Sequence, residues 1–177
     1  MVHMRTKLAI LLLFAALSFT LSAQSVATGE RLKRIKGIKT EVADNGYLYI
    51  GFIHSASEPC RLSTAICRTT FASRGDINSI FFTREKSENC SPWLKQLISN
   101  GEQVVVEASE VFSRFGIDYA PFGVIIDHKR KVVWFGNPQI LSIDRLEKII
   151  NKHLQTKQSD KDNDTDSDTT DDEPVRN

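Results

Sequence analysis

The sequence predicts an α/β domain in which helices flank a central mixed β-sheet. Apolar, strand-favouring runs alternate with amphipathic helical segments from residue 47 to residue 154, and strands separated by helices pair in parallel through crossover connections. The last two predicted strands are joined by only four residues, which favours an antiparallel hairpin. Of the 177 residues, 41% are hydrophobic and 25% are charged, a composition typical of one globular domain.

The predicted elements follow in the order βαβαβαββα. The first strand is apolar throughout, as expected of a strand covered on both faces. In the first helix, Leu62, Ala65, Ile66 and Thr69 share one face, and the last helix is amphipathic. In chain order, the elements are a strand over Tyr47–Ile53, a helix over Pro59–Ala72, a strand over Ile77–Thr83, a helix over Ser91–Ile98, a strand over Gln103–Val106, a helical turn over Val111–Phe115, strands over Phe122–Ile126 and Lys131–Phe135, and a helix over Ile143–Leu154.

Residues 1–23 predict a secretory signal peptide. Arg5 and Lys7 precede the apolar run Leu8–Leu17, and small residues up to Ala23 close the segment. The run is shorter than the ~20 residues that a membrane span needs, so we expect no stable span after cleavage; an uncleaved anchor is the alternative. Export predicts a periplasmic or secreted protein, whose compartment permits disulfides.

Composition divides the rest of the chain into three parts. Residues 24–41 form a polar, basic leader segment, and residues 42–155 form the predicted domain. Residues 156–177 contain eight acidic and three basic residues and almost no apolar side chain, which predicts a disordered acidic tail. No basic stripe with interleaved aromatic residues is present, so we expect no nucleic-acid partner.

Two short segments carry the candidate chemistry. The first strand runs into Phe-Ile-His-Ser-Ala-Ser-Glu-Pro-Cys-Arg, which ends at Arg61, and Tyr-Ala-Pro-Phe-Gly opens a later strand at Tyr119. In this order and spacing, residues 42–154 resemble the thioredoxin superfamily, and most closely its exported TlpA-type thiol–disulfide reductases. Their first segment has the form Phe-x-Ala-Ser-Trp-Cys-x-Pro-Cys-Arg. The match needs no gap, but Ser57 replaces the first cysteine.

The resemblance implies a thioredoxin-like fold and a site formed by both segments. It places Ser57 and Cys60 at the catalytic positions, and implies that Pro121 is cis and forms a substrate groove with Ala120 and Pro59. Protein or peptide thiols and disulfides are the implied partners, without a cofactor. Because dithiol exchange needs a first thiolate to attack and a second to release, Ser57 interrupts that cycle. The position of Ser57 before the helix favours a helix N-cap that accepts the N–H of Cys60.

The sequence contains three cysteines, so at least one is free or paired between molecules. Cys60 is interpreted as a reactive monothiol or a buried remnant, Cys67 as a core residue and Cys90 as a candidate exposed thiol. In a continuous helix Cys60 and Cys67 lie ~10.5 Å apart, beyond the ~7 Å that a disulfide spans. A pair of Cys90 with Cys60 or Cys67 stays open. No metal-ligand spacing is present, and we expect no metal.

Three functional hypotheses follow. The first is an exported thiol–disulfide oxidoreductase with a degenerate Ser-x-x-Cys motif. The second is a non-catalytic thioredoxin-fold module that holds an extended peptide near Ser57, Cys60 and Pro121. The third is a peroxiredoxin-like thiol peroxidase, because Ser57-x-x-Cys60 is superficially similar to the Thr-x-x-Cys peroxide site of that family.

Overall fold

The computed structural model describes residues 26–35, 42 and 45–164. The predicted signal peptide lies outside the described residues. The observed elements confirm the predicted order, and two short 3-10 turns, Ser87–Asn89 and Pro138–Ile140, are added to it. The helices and strands are β1 (Tyr47–Phe52), α1 (Glu58–Ala72), β2 (Ile77–Phe82), α2 (Pro92–Ser99), β3 (Gln103–Val105), α3 (Ser109–Phe115), β4 (Phe122–Asp127), β5 (Val132–Gly136) and α4 (Ile143–Asp164).

The five strands form one mixed sheet in the order β3-β2-β1-β4-β5. β1 pairs in parallel with β2, and β2 with β3, whereas β4 runs antiparallel to both β1 and β5. Phe52 therefore lies opposite Phe82 at the end of β2 and opposite Phe122 at the start of β4. This register brings the loop after β1 and the segment before β4 to the same edge of the sheet, where the two motif segments meet.

Helices cover both faces of the sheet, as predicted. On one face, α1, α2 and α4 contribute Phe71, Leu94 and Leu146 to a cluster that surrounds Tyr49 of β1. On the other face, α3 contributes Phe112 to a cluster with the other side of β1. Because successive strand residues point to opposite faces, the fully buried strand β1 supplies both clusters.

The buried face of α1 differs from the predicted one. Leu62 and Ile66 are 45% and 40% exposed, so the face assigned from their apolar character is wrong. The buried side chains are instead Cys60, Ser63, Thr64, Cys67, Thr70 and Phe71. Cys60, Cys67 and Phe71 recur at intervals that keep them on one side of the helix, and small side chains between them let α1 pack closely on the sheet.

Residues 26–35 of the basic leader pack against the domain. The backbone of Gly29 donates to Val132 at 2.8 Å, Val132 donates to Glu30 at 2.8 Å, and Leu32 donates to Arg130 at 2.9 Å. The leader thereby covers part of the outer edge of β5, which would otherwise present unpaired backbone groups. Val26 at one end of this stretch is buried in the second core cluster.

The last helix is longer than predicted. It continues past Leu154 to Asp164, so helix covers residues 156–164 of the segment for which we predict disorder; residues 165–177 of that segment lie outside the described residues. Asp127, only 1% exposed, accepts from His153 Nε2 at 3.2 Å and from Lys157 Nζ at 3.1 Å. Its other oxygen accepts the backbone N–H groups of Lys129 and Lys131, each at 2.9 Å. A buried carboxylate on β4 therefore anchors the extra helical turn.

The packing of His153 predicts a loss of stability in mild acid. Burial, with the nearby charge of Lys157, holds the pKa of His153 below its ordinary value against the opposing effect of Asp127. The unfolded chain therefore takes up this proton at higher pH than the folded chain, and stability is lost as pH falls below about 6.5. We expect the free energy of unfolding, measured by urea titration, to decline from about pH 7 to pH 5. The decline should shrink in His153→Gln but not in the control His128→Gln; equal slopes would contradict this role.

Candidate functional site

The β1–α1 junction presents Ser57 and hides Cys60. Ser57 is the N-cap of α1, and its Oγ accepts the N–H of Cys60 at 3.4 Å, as the sequence predicted. Cys60 is 0% exposed, and its Sγ accepts the backbone N–H of His54 at 3.3 Å. Arg61, which would otherwise add positive charge beside the thiol, forms an ion pair with Glu58. The accessible side chain of the two at the start of α1 is thus the serine and not the thiol.

The second motif segment lies beside the first. The Ala120–Pro121 peptide bond is cis, as the resemblance implied. A pocket of about 260 Å³ joins the two segments, and it is lined by Ile53, His54, Ser57, Arg84, Phe112, Asp118, Tyr119 and Ala120. Pro121 is buried behind this lining, and Pro59 is exposed on α1 outside it. The structure therefore brings Ser57 and Ala120 together at one cavity.

The backbone of Ala120 has unsatisfied hydrogen-bonding groups beside that pocket within the described part of the chain. Neither its N–H nor its C=O has a hydrogen-bond partner among the residues that the structure describes. Ala120 is half-buried at the edge where β4 begins at Phe122. A free donor and acceptor on one residue can pair with an extended segment of another chain.

A partly buried carboxylate that the sequence analysis missed, Glu85, supports the loop before Ser57. Glu85 accepts the backbone N–H and the hydroxyl of Ser55, each at 2.6 Å, and the hydroxyl of Thr83 at 2.8 Å. Burial opposes the charge of Glu85, but the hydrogen bonds from Ser55 and Thr83 prevail and hold its pKa below the ordinary value. Ser91 and Trp93 both donate to the carbonyl of Ser55, at 2.8 and 2.7 Å. The only feature of the sequence that could have indicated this role is the position of Glu85 shortly after β2, at the sheet edge that carries the site.

Arg84 is the second residue that sequence reasoning missed. Its guanidinium lies 4.4 Å from the centre of the Phe112 ring and donates to the carbonyl of Ile117 at 2.7 Å. Arg84 thus ties the end of β2 to α3 and to the segment that leads to Ala120. It forms one wall of the pocket and gives that wall a positive charge.

The three thiols are buried and unpaired. Cys60, Cys67 and Cys90 are free, so neither of the open pairings with Cys90 is formed. Burial raises the pKa of Cys67 to about 12, although a hydrogen bond with Tyr49 acts in the opposite direction. Cys90 is 4% exposed, so the expectation of an exposed thiol there is wrong. Burial and the charge of Glu85 raise the pKa of Cys90 as well.

Two further features of the described residues concern metals and membranes. No group of three or more His, Cys, Asp or Glu side chains in the described part of the chain is arranged to hold a metal ion. Within the same ranges, no helix combines the length and apolar character that crossing a membrane requires.

Comparison with known proteins identifies the fold. No protein-family model and no curated protein matches the chain, but solved structures do. A thioredoxin-like protein from Parabacteroides distasonis is 12% identical, with a TM-score of 0.56 over 72% of this chain and 96% of the other. The thioredoxin domain of a thiol-disulfide oxidoreductase from Bacteroides vulgatus is 17% identical, with a TM-score of 0.53 over 71% and 99%. At these identities the likeness concerns the fold alone: the chain has a thioredoxin-like fold, as solved thiol–disulfide oxidoreductases do.

Proposed function

We propose that this chain is an exported thioredoxin-fold protein that binds extended polypeptide segments and carries no dithiol cycle of its own. The observation that carries the proposal is the arrangement at the start of α1, where Ser57 faces the pocket and Cys60 is fully buried behind it. The export follows from the predicted signal peptide in residues 1–23. In this proposal Ser57 occupies the position of the first motif cysteine in TlpA-type reductases.

The groove has the parts that recognition of an extended peptide requires. The N–H and C=O of Ala120, which have no partner among the described residues, provide main-chain hydrogen bonds, which give affinity without regard to sequence. The pocket beside it has apolar walls from Ile53 and Phe112 and polar groups from His54 and Arg84. Such a lining accepts one side chain of the bound segment and gives the site its selectivity.

Burial of the thiols argues against the two enzymatic alternatives. A thiol–disulfide reductase and a thiol peroxidase both attack with an accessible thiolate. The three cysteines are buried, and burial favours the neutral thiol in Cys67 and Cys90. Binding at the groove needs none of them, so we expect Cys60→Ser to retain it.

Filling the pocket should abolish most of the binding. In Ser57→Trp the indole would occupy the cavity beside Ala120. We expect affinity for reduced, carboxymethylated α-lactalbumin, which is unfolded and has no free thiol, to fall about tenfold or more, or ~1.4 kcal/mol. Fluorescence anisotropy of the labelled probe measures this change. The variant also loses the N-cap, at a cost of about 1 kcal/mol, so thermal melting must show that it is folded.

The matched control is Ser99→Trp, which adds the same side chain at an exposed position at the end of α2. It should bind the probe as the natural chain does. Absence of saturable binding by the natural chain, or equal loss in both tryptophan variants, would contradict the proposed groove.

A further inference from the structure

A second cavity lies between the helices α1 and α2, and we call it the α1–α2 cleft. Its volume is about 220 Å³. Its polar lining residues follow each other at intervals of three and then four along each helix, so each helix contributes one continuous stripe. These residues are Arg61, Thr64 and Arg68 of α1 and Trp93, Gln96 and Asn100 of α2. None of them lines the pocket beside Ser57.

The two stripes run side by side in the same direction. At the start of α2, Trp93 Nε1 donates to the carbonyl of Ser55, shortly before α1 begins, at 2.7 Å. Near the other end, Arg68 Nε donates to Glu102, which follows α2, at 2.7 Å. Arg68 and Asn100 therefore lie together at the C-terminal end of the cleft, where their side chains can reach the same ligand.

A buried hydroxyl without a partner lies in the wall of the cleft. Thr64 is only 3% exposed, and its Oγ1 has no hydrogen-bond partner. Within the described residues, it is the only buried side-chain oxygen or nitrogen in this condition. The neighbouring Ser63 is satisfied, because its hydroxyl donates to the carbonyl of Cys60 at 3.0 Å. Buried polar atoms are nearly always paired, so the hydroxyl of Thr64 indicates a polar ligand in the cleft.

The other polar groups of the cleft are mostly hydrogen-bond donors. Arg68 has five N–H donors, and its pair with Glu102 uses only the one on Nε. The edge formed by Nη1 and Nη2 has the geometry that binds a carboxylate through two parallel hydrogen bonds. Among the described residues, the side-chain amides of Gln96 and Asn100 have no partner either. An excess of donors favours a ligand that is rich in acceptor oxygens.

We propose that the α1–α2 cleft binds a small organic acid, with a carboxylate held by Arg68 and further oxygens held by Thr64 and the two amides. Thr64 precedes Arg68 by one helical turn, and side chains at this spacing lie about 5–6 Å apart. A ligand a few carbon atoms long therefore contacts both. The cleft is smaller than the ~300–1,000 Å³ of pockets for drug-sized ligands, which limits the ligand to a small molecule. Because the cleft shares no residue with the pocket beside Ser57, this site and the proposed peptide groove can be tested separately.

Titration of the ¹⁵N-labelled full chain with sodium succinate tests the site, with sodium chloride at equal ionic strength as the reference. We expect the side-chain amide signals of Gln96 and Asn100 to shift saturably, with half-saturation at about 1 mM or below. Arg68→Gln should weaken binding about tenfold or more. The control Arg145→Gln removes the same charge at an exposed position on α4 and should bind as the natural chain does.

Three outcomes of the titration would overturn the proposal. The first is the absence of saturable shifts in the natural chain. The second is an equal loss of affinity in both arginine variants, because overall charge would then explain the binding. The third is equally tight binding of sodium sulfate at the same signals, because the cleft would then bind oxyanions in general and not organic acids.

Thr64→Val tests whether the buried hydroxyl serves the ligand or the fold. Valine has nearly the same shape, and removal of a hydroxyl that has no partner is neutral or stabilising. We therefore expect an unchanged or higher melting temperature without succinate, together with succinate binding weakened about fivefold or more. The control Thr69→Val removes an exposed hydroxyl of α1, which donates to the carbonyl of Ala65, and should leave binding unchanged. A lower melting temperature of Thr64→Val, or unchanged succinate affinity, would overturn the role of Thr64 and with it the proposed site.

Discussion

Replacing Ser57 by cysteine should give the chain a dithiol that reduces insulin, an activity that the natural chain should lack. Ser57 caps the fifteen-residue helix α1 and lies three residues before Cys60. Side chains three residues apart on a helix are neighbours, with Cβ atoms about 5–6 Å apart, and a disulfide accepts Cα atoms up to about 7 Å apart. The unpaired N–H groups and the dipole at the helix start would lower the pKa of the new thiol and favour attack.

The activity should exceed that of the natural chain at least about tenfold, because only the variant has a thiolate at the pocket mouth. Insulin turbidity measures the rate, and mass spectrometry of the oxidised variant should show loss of a hydrogen from each thiol. Ser57→Ala and the double variant Ser57→Cys, Cys60→Ser should remain inactive. A folded Ser57→Cys variant that forms no disulfide between positions 57 and 60 would refute the match to the family motif. Strong activity of the natural chain that survives Cys60→Ser would assign the chemistry to Cys67 or Cys90.

Removing the Asp127 carboxylate should destabilise the domain by about 2–3 kcal/mol, since hydrogen bonds to a charged group contribute about 1.5–3 kcal/mol. The side chain of Lys157 is 31% exposed and can turn to solvent, so no buried charge is left behind. Asp127→Ala leaves Lys157 without its partner and removes the acceptor of two turn N–H groups. The pKa of Asp127 lies below its ordinary value: burial opposes the charge, but the backbone hydrogen bond from Lys131 and the pairing with Lys157 prevail. The charged form therefore stabilises the fold, and that contribution is lost as pH falls through the folded-state pKa.

Thermal melting near neutral pH measures the loss, which should be about 3–4 °C per kcal/mol. Asp127→Asn keeps an acceptor for the turn and should lose less stability than Asp127→Ala. Asp144→Ala, at an exposed position in the first turn of α4, should change the melting temperature by at most a few degrees. Truncation after residue 155 removes Lys157 but leaves His153, so its effect should lie between those of Asp144→Ala and Asp127→Ala. Similar melting of Asp127→Ala and Asp144→Ala would contradict the anchoring role.

The errors of the sequence prediction share one cause. In α1, Leu62 and Ile66 are more apolar than Ser63 and Thr64, yet the small polar pair is buried. The periodicity of apolar residues locates a helix along the chain. Which face of that helix is buried depends on how the helix is rotated about its axis to fit the sheet. The prediction that α4 ends at Leu154 was wrong for the same reason. The next turn is stabilised by a contact with Asp127, some thirty residues earlier in the chain.

The sequence by itself determined the features that depend on neighbours along the chain. The order of strands and helices follows from local apolar patterns, and Ser57 caps α1 because its hydroxyl reaches an N–H three residues ahead. Only the tertiary structure decided which distant groups share the site. Ala120 meets Ser57 through the pairing of β1 with β4, and Glu85 reaches Ser55 across thirty residues. The burial of all three thiols also depends on the tertiary structure. The exposure of a side chain is set by residues that pack over it from elsewhere in the chain, and no local sequence pattern predicts that packing.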